Sequence, residues 1–239
     1  MQNLDQVAEK YLSSPALEVE NNLIMNWYPE RVAKRFDKVG SLLELGLGHG
    51  YTVPHFQKIC DNHYVLEGSA RVIEHFRSQN SWYDGKLIEG YFETFEPEEK
   101  FDLIIMGFVL EHVKNPISIL KRYREFLTSN GQIIIAVPNA KSLNRRYGLA
   151  MGMIDDIYAL NEVDLQLGHL RNYCLDTLQK DISSAQLVTH HVEGIYLKPL
   201  PLSVLQTLDD VDSNLQAMLE VGVDFPELCV ALLLQVGKN

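Results

Sequence analysis

Seven short apolar runs punctuate the chain, at residues 41–45, 64–67, 86–88, 101–106, 132–137, 187–196 and 228–236. Leu103-Ile104-Ile105 and Ile133-Ile134-Ile135 are continuous rather than alternating, the pattern of strands covered on both faces. Helical spacing fills most of the gaps. Residues 116–127 carry Ile117, Leu120, Tyr123, Arg124 and Leu127 at helical intervals, and Asn130-Gly131 supplies a stop signal. Residues 69–78 form a second helical stretch after Glu67-Gly68, and residues 1–38 read as a helical N-terminal section. Residues 139–172 lack a strand pattern and read as an irregular, helix-containing insertion. Residues 199–226, with Leu205, Leu208, Leu215, Met218 and Leu219, read as a second insertion with one or two amphipathic helices. Strands alternating with helices predict an α/β fold with a mostly parallel sheet.

The length of 239 residues suits one such domain with its two insertions, spanning residues 1–239. At 46% hydrophobic and 22% charged residues the chain can build a core without a disulfide or metal staple. Twenty-one basic against thirty-two acidic residues give a net charge of −11. That balance argues against a nucleic-acid partner and against docking on anionic membranes. Cys60, Cys174 and Cys229 are scattered and odd in number, so neither a zinc site nor a disulfide framework is expected. Residues 1–11 carry Asp5 and Glu9 and lack an apolar stretch, so no signal peptide is read there. The expectation is a cytoplasmic protein with reduced thiols and no metal; the pattern leaves the oligomeric state open.

The most informative segment is Leu42-Leu43-Glu44-Leu45-Gly46-Leu47-Gly48-His49-Gly50. An apolar strand runs directly into Gly-x-Gly-x-Gly, whose glycines permit a sharp turn and close approach of a ligand. The ligand would sit at the carboxyl end of the first strand, at a topological switch point. Dinucleotide fingerprints space their glycines as Gly-x-Gly-x-x-Gly. Here the third glycine comes one residue early and Tyr51 follows, which disfavours a dinucleotide-dependent oxidoreductase. Glu44, just before the loop, suits a cationic amino group better than a pyrophosphate. Glu67, beside Gly68, ends the second strand, where a carboxylate can accept both hydroxyls of a ribose.

Residues 42–50 with Glu67 resemble the cofactor half of the class I S-adenosylmethionine-dependent methyltransferases. Phe101-Asp102-Leu103-Ile104 followed by Val109-Leu110-Glu111-His112-Val113 is similar to the fourth-strand segment of small-molecule members, including quinone-type enzymes. Asn130-Gly131-Gln132 through Val137-Pro138-Asn139 resembles their fifth strand, and Gly168-His169-Leu170-Arg171 with Tyr173 also recurs in that group. The resemblance covers about residues 38–196. It implies a seven-stranded sheet of order 3-2-1-4-5-7-6 with an antiparallel last strand, helical lid insertions, and S-adenosylmethionine as cofactor. It also implies that Glu44 and the backbone of Gly46, Leu47, Gly48 and Gly50 hold the methionine end. Glu67 would hold the ribose, Phe92 and Glu93 would border the adenine, and Gly107 and Phe108 would line the cofactor. Tyr91 stands where members often place an aspartate beside the adenine.

Methyl transfer from a sulfonium is an in-line displacement in which the protein mainly aligns and desolvates. A hydroxyl nucleophile gains from a general base, and histidine is the usual choice. His112, after the fourth strand, and His169, in the first insertion, are the candidate catalytic residues. Each has a structural alternative: Glu111-His112 could start the next helix and His169 could cap one. Arg171 and Tyr173 are candidates for substrate binding or for lid packing. The net charge does not exclude an anionic sugar substrate, since Arg145, Arg146 and Arg171 fall in the predicted lid. His190-His191 reads as a solvated strand feature, and Asp155-Asp156 as a charged face rather than the acid cluster a hard cation needs. Met106-Gly107-Phe108-Val109 replaces the Asn/Asp-Pro-Pro-aromatic motif of enzymes that methylate nucleic-acid amino groups. Trp27, Tyr28, Trp82 and Tyr83 could line a pocket but more often pack cores. The resulting expectation is an O-methyltransferase acting on a small molecule. The alternative is a non-catalytic cofactor-binding or regulatory protein of the same fold.

Overall fold

The structure, a computed structural model, describes residues 15–239. The first fourteen residues of the predicted helical section lie outside the described residues. The chain then runs through α1 (Pro15–Ala33), β1 (Val39–Leu45), α2 (Val53–Lys58), β2 (Cys60–Glu67), α3 (Ala70–Gln79) and β3 (Lys86–Glu89). It continues with β4 (Phe101–Gly107), α4 (Pro116–Glu125), β5 (Leu127–Pro138), α5 (Leu143–Ala150), α6 (Glu162–Gln166) and α7 (Leu175–Ser184). Last come β6 (Val188–Ile195), α8 (Leu202–Leu205), α9 (Val211–Gly222) and β7 (Ala231–Gly237).

The strands form one seven-stranded sheet of order β3-β2-β1-β4-β5-β7-β6. Pairings from β3 through β5 are parallel, and β7 runs antiparallel to both β5 and β6. Order and direction are those the resemblance implied. The continuous apolar runs have their expected cause: side chains alternate between two covered faces. Leu43, Leu45, Ile104, Met106, Ile133 and Ile135 join Leu120 and Tyr123 of α4 and Leu178 and Ile182 of α7. Leu42, Leu103, Ile105, Ile134 and Ala136 join Trp27, Tyr28 and Val32 of α1, Phe56 of α2 and Leu215 and Leu219 of α9. The second insertion is therefore partly core: Leu205, Leu215 and Leu219 bury against the α1 face.

Local signals set the helix starts. Ser69 Oγ accepts from the Val72 amide at 3.3 Å at the head of α3. Asn115 Oδ1 accepts from the Ser118 amide at 3.0 Å, with Pro116 beginning α4. Several boundaries differ from the sequence reading; β2, for one, starts at Cys60 rather than residue 64. Helix α4 ends at Glu125, and β5 starts at Leu127 rather than residue 132. Leu127 is buried and pairs with Phe101, after which β5 advances five residues while β4 advances two. Asn130-Gly131 thus sits in an irregularity of the strand instead of ending the helix. Strand β7 begins at Ala231 rather than residue 228, because the preceding residues form a turn. Asn139 Nδ2 donates there to the carbonyls of Pro226, Glu227 and Cys229 at 2.9–3.3 Å.

Candidate active site at the carboxyl edge of the sheet

Because β1 to β5 are parallel, the loops that leave them meet along one edge. After β1, Gly46, Gly48 and Gly50 have φ of 81°, 50° and 75°. Side chains are strained in that region. A Cβ on Gly50 would also lie 2.5 Å from the Phe76 ring. Glu67, at the end of β2, spans the edge: Oε2 accepts from the Leu47 amide at 2.9 Å and Oε1 from the Ser69 amide at 2.8 Å. Each oxygen keeps a further acceptor position. Gly68 lies between these anchors.

Glu44, at the end of β1, is held by two neighbouring side chains. It is 2% exposed, the Thr52 hydroxyl donates to its Oε1, and Oε2 lies 3.3 Å from His63 Nε2. Its bond to Thr52, the residue before α2, ties the end of β1 to the far end of the glycine loop. After β3, the Phe92 ring reaches within 3.9 Å of where a Cβ on Gly46 would stand, whereas Glu93 and Tyr91 are exposed. After β4, Gly107 makes room for Tyr28, whose hydroxyl would be 2.2 Å from a Cβ there. Tyr28 is buried, so it belongs to the core while its tip reaches this edge. Phe108 has φ of 58°, held by a 2.8 Å bond from its amide to the Ala136 carbonyl. Backbone strain of this kind costs on the order of 1–3 kcal/mol and concentrates at functional sites.

The other half of the edge joins two distant segments. His112 and His169 meet with ring centroids 4.7 Å apart at 80°. Glu111 and His112 lie in the loop before α4, not in the helix, and Glu111 is 0% exposed. Neither Glu111 oxygen receives a hydrogen bond from another residue. Burial pushes its carboxyl up to about 7, although His169 and Arg171 nearby pull the other way. Burial pushes the His112 imidazole down to about 4, with neighbouring His169 adding to the shift. Asp164 Oδ1 lies 3.4 Å from His169 Nδ1. Donor atoms of Glu111, His112 and His169 fall within 4.8 Å of one another. Glu111 is the member the sequence reading passed over; its signal is its position beside His112 with a histidine returning from the first insertion.

The polar atoms of Arg171 and Tyr173 go to protein partners. The Arg171 guanidinium donates to the carbonyls of Leu110, at 2.7 Å, Val113 and Lys114. The Tyr173 hydroxyl donates to Asp181 at 3.0 Å. With the Leu170 amide bonded to the Glu111 carbonyl at 2.8 Å, these contacts fasten residues 168–173 onto the loop after β4. Arg145 likewise donates to the carbonyls of Ile157 and Ala159, and Arg146 to that of Lys141.

A family model described as a methyltransferase domain matches residues 22–192. Among curated protein sequences nothing matches the chain significantly. Solved structures do. The N-methyltransferase NodS from Bradyrhizobium japonicum WM9, in complex with S-adenosyl-L-homocysteine, is 14% identical with a TM-score of 0.61, covering 98% of each chain. The plantazolicin methyltransferase BamL, in complex with a triazolic desmethylPZN analogue and S-adenosylhomocysteine, is 16% identical with a TM-score of 0.60, over 98% of this chain and 90% of that one. A Haloferax volcanii putative methyltransferase, bound to the Trm112 activator, is 14% identical with a TM-score of 0.65, over 97% of each chain. The sheet order, the glycine cradle and the family match converge: the chain belongs to the methyltransferase-domain family and has the class I fold of the S-adenosylmethionine-dependent enzymes.

Proposed function

We propose that this protein transfers a methyl group from S-adenosylmethionine to a small-molecule acceptor, at a hydroxyl oxygen. The observation that carries the reading is that two groups of residues share the carboxyl edge of one parallel sheet. One is the left-handed glycine loop with Glu67; the other is the His112–His169 pair. The cofactor supplies an already activated methyl group. The protein's work is then to fix its position and exclude water.

Gly46, Leu47, Gly48 and Gly50 would cradle the methionine end by backbone, with Glu44 bracing the loop through Thr52. Glu67 has acceptor capacity left for ribose hydroxyls, and Gly68 lets the chain pass closely. Phe92, over the loop, and Glu93 would border the adenine, while Gly107 and Phe108 would line the cofactor beside Tyr28. His112 and His169 stand on the acceptor side. There an oxygen nucleophile must lose its proton, either to an imidazole or to the pull of a charge that the imidazoles hold. Arg171 and Tyr173 position that side through the contacts described above. Residues 139–172 would cover the acceptor, and residues 199–226 would complete the wall through α9.

The net charge of −11 supports a small molecule over nucleic acid. Three buried cysteines without disulfides support a cytoplasmic setting. Among the described residues no helix is long and apolar enough to cross a membrane. The test is product formation. Phenols, quinols, sugars and amines, each incubated with protein and labelled cofactor, should include a hydroxyl acceptor that gains the label. Transfer only to amines would overturn the oxygen assignment. Cofactor binding with no transfer to any class would favour a non-catalytic cofactor-binding protein.

A further inference from the structure

Fully buried carboxylates are paired or coordinate a cation, because stripping water from an unpaired charge is too costly. Glu111 has neither an ion-pair partner nor a hydrogen bond from another residue to its oxygens, yet it is 0% exposed. Two imidazoles accompany it, with donor atoms of all three side chains within 4.8 Å of one another. Ligands at about 2.0–2.2 Å from one ion lie roughly 3–4 Å apart, so small side-chain adjustments complete the set. Among the described residues no other three histidine, cysteine or acidic side chains gather this way.

We propose that Glu111, His112 and His169 hold a divalent first-row transition cation such as zinc, manganese or cobalt. Two nitrogens and one carboxylate suit such an ion better than magnesium or calcium, which favour oxygen throughout. Metal-bound imidazoles usually give their other N–H to a carboxylate or backbone carbonyl. Here Asp164 Oδ1 lies 3.4 Å from His169 Nδ1, and the Gly168 backbone is beside the His112 ring. The frame is tied down by the Arg171 contacts to Leu110, Val113 and Lys114.

The consequence for turnover rests on the methyltransferase reading; the site itself does not. Three protein ligands leave coordination positions open, and an acceptor hydroxyl bound there loses its proton to solvent more readily. Its oxygen then forms the bond to the methyl carbon while the carbon–sulfur bond breaks and sulfur keeps the electron pair. The two imidazoles act as ligands in this account, in place of a free base.

Calorimetric titration tests it. Full-length protein freed of metal by a chelator is titrated separately with zinc, manganese, cobalt and magnesium chlorides. One equivalent of a transition ion should bind at micromolar affinity, well ahead of magnesium. Glu111→Gln and His169→Ala should each weaken binding at least tenfold, and Asp164→Asn about 10–100-fold or less. With both proteins metal-free, Glu111→Gln should keep the wild-type melting temperature and affinity for S-adenosylhomocysteine, which separates lost ligation from lost fold. No binding to wild type below about millimolar, or equal affinity in wild type and both ligand variants, would overturn the site. Undiminished methyl transfer in excess chelator would overturn its role. Stoichiometric metal binding by a protein that takes no cofactor would uphold the site and refute the methyltransferase reading instead.

Discussion

Glu193 and Glu111 are both buried carboxylates, and they have opposite surroundings. Glu193 of β6 is 3% exposed and lies where α1 packs on the sheet. It accepts from Arg31 at 2.7 and 2.9 Å, pairs with Arg35 at 2.7 Å and has His191 Nε2 at 2.9 Å. Burial alone would raise its carboxyl, but the bonds from Arg31, His191 and Arg35 outweigh that and hold it at about 2. Glu111 at the carboxyl edge has no such company, and burial pushes it up to about 7. The contrast separates structure from function. The fold satisfies a buried charge completely where it serves packing, and leaves one open where chemistry is proposed.

The largest expected effect is at the closed cluster. Glu193→Gln leaves two half-buried guanidinium groups without a counter-charge and should cost about 3–5 kcal/mol in urea unfolding at neutral pH. Because its folded pKa is depressed, the Glu193 contribution is fully present above the unfolded value near 4.5 and is lost as pH falls toward 2. The gap between wild type and variant should therefore narrow by roughly 3 kcal/mol between pH 5 and 2. A gap independent of pH would show that Glu193 is not the paired charge described here.

Gly107→Ala probes Tyr28, which links α1 to the open edge. The added Cβ meets the tyrosine hydroxyl and should cost about 1–3 kcal/mol by thermal unfolding. An unchanged melting temperature would show that the contact is loose. Glu67→Ala removes the carboxylate that joins the glycine loop to α3 and should weaken S-adenosylhomocysteine binding about tenfold, roughly 1.4 kcal/mol. An unchanged affinity would remove the ribose assignment. The smallest effect on stability belongs to Glu111→Gln in metal-free protein, within about 1 kcal/mol of wild type or above it, since there it removes a buried charge that no residue pairs. A loss near that of Glu193→Gln would erase the contrast.

How much of this was legible in the sequence follows the same divide. The glycine loop and Glu67 are written in contiguous residues, and spacing exposes them; the succession of elements shows an α/β fold, while the strand order came only through the family resemblance. The strand irregularity at Asn130-Gly131 was not legible, since it depends on Leu127 finding Phe101 across the sheet. Nor was the pairing of Glu193 with Arg31, separated by 162 positions. His169 and Arg171 were visible as candidates, but that Arg171 bonds backbone carbonyls while Glu111 goes unpaired is a property of tertiary packing. Chemistry-bearing residue types are readable one at a time; which of them find partners is not.

The central claim is that this edge binds the methyl-donor cofactor. Titrating the wild-type protein with S-adenosylhomocysteine by calorimetry tests it most directly. One site per chain with a dissociation constant in the range of about 1–100 μM is the predicted result; no heat of binding at millimolar ligand would contradict the account.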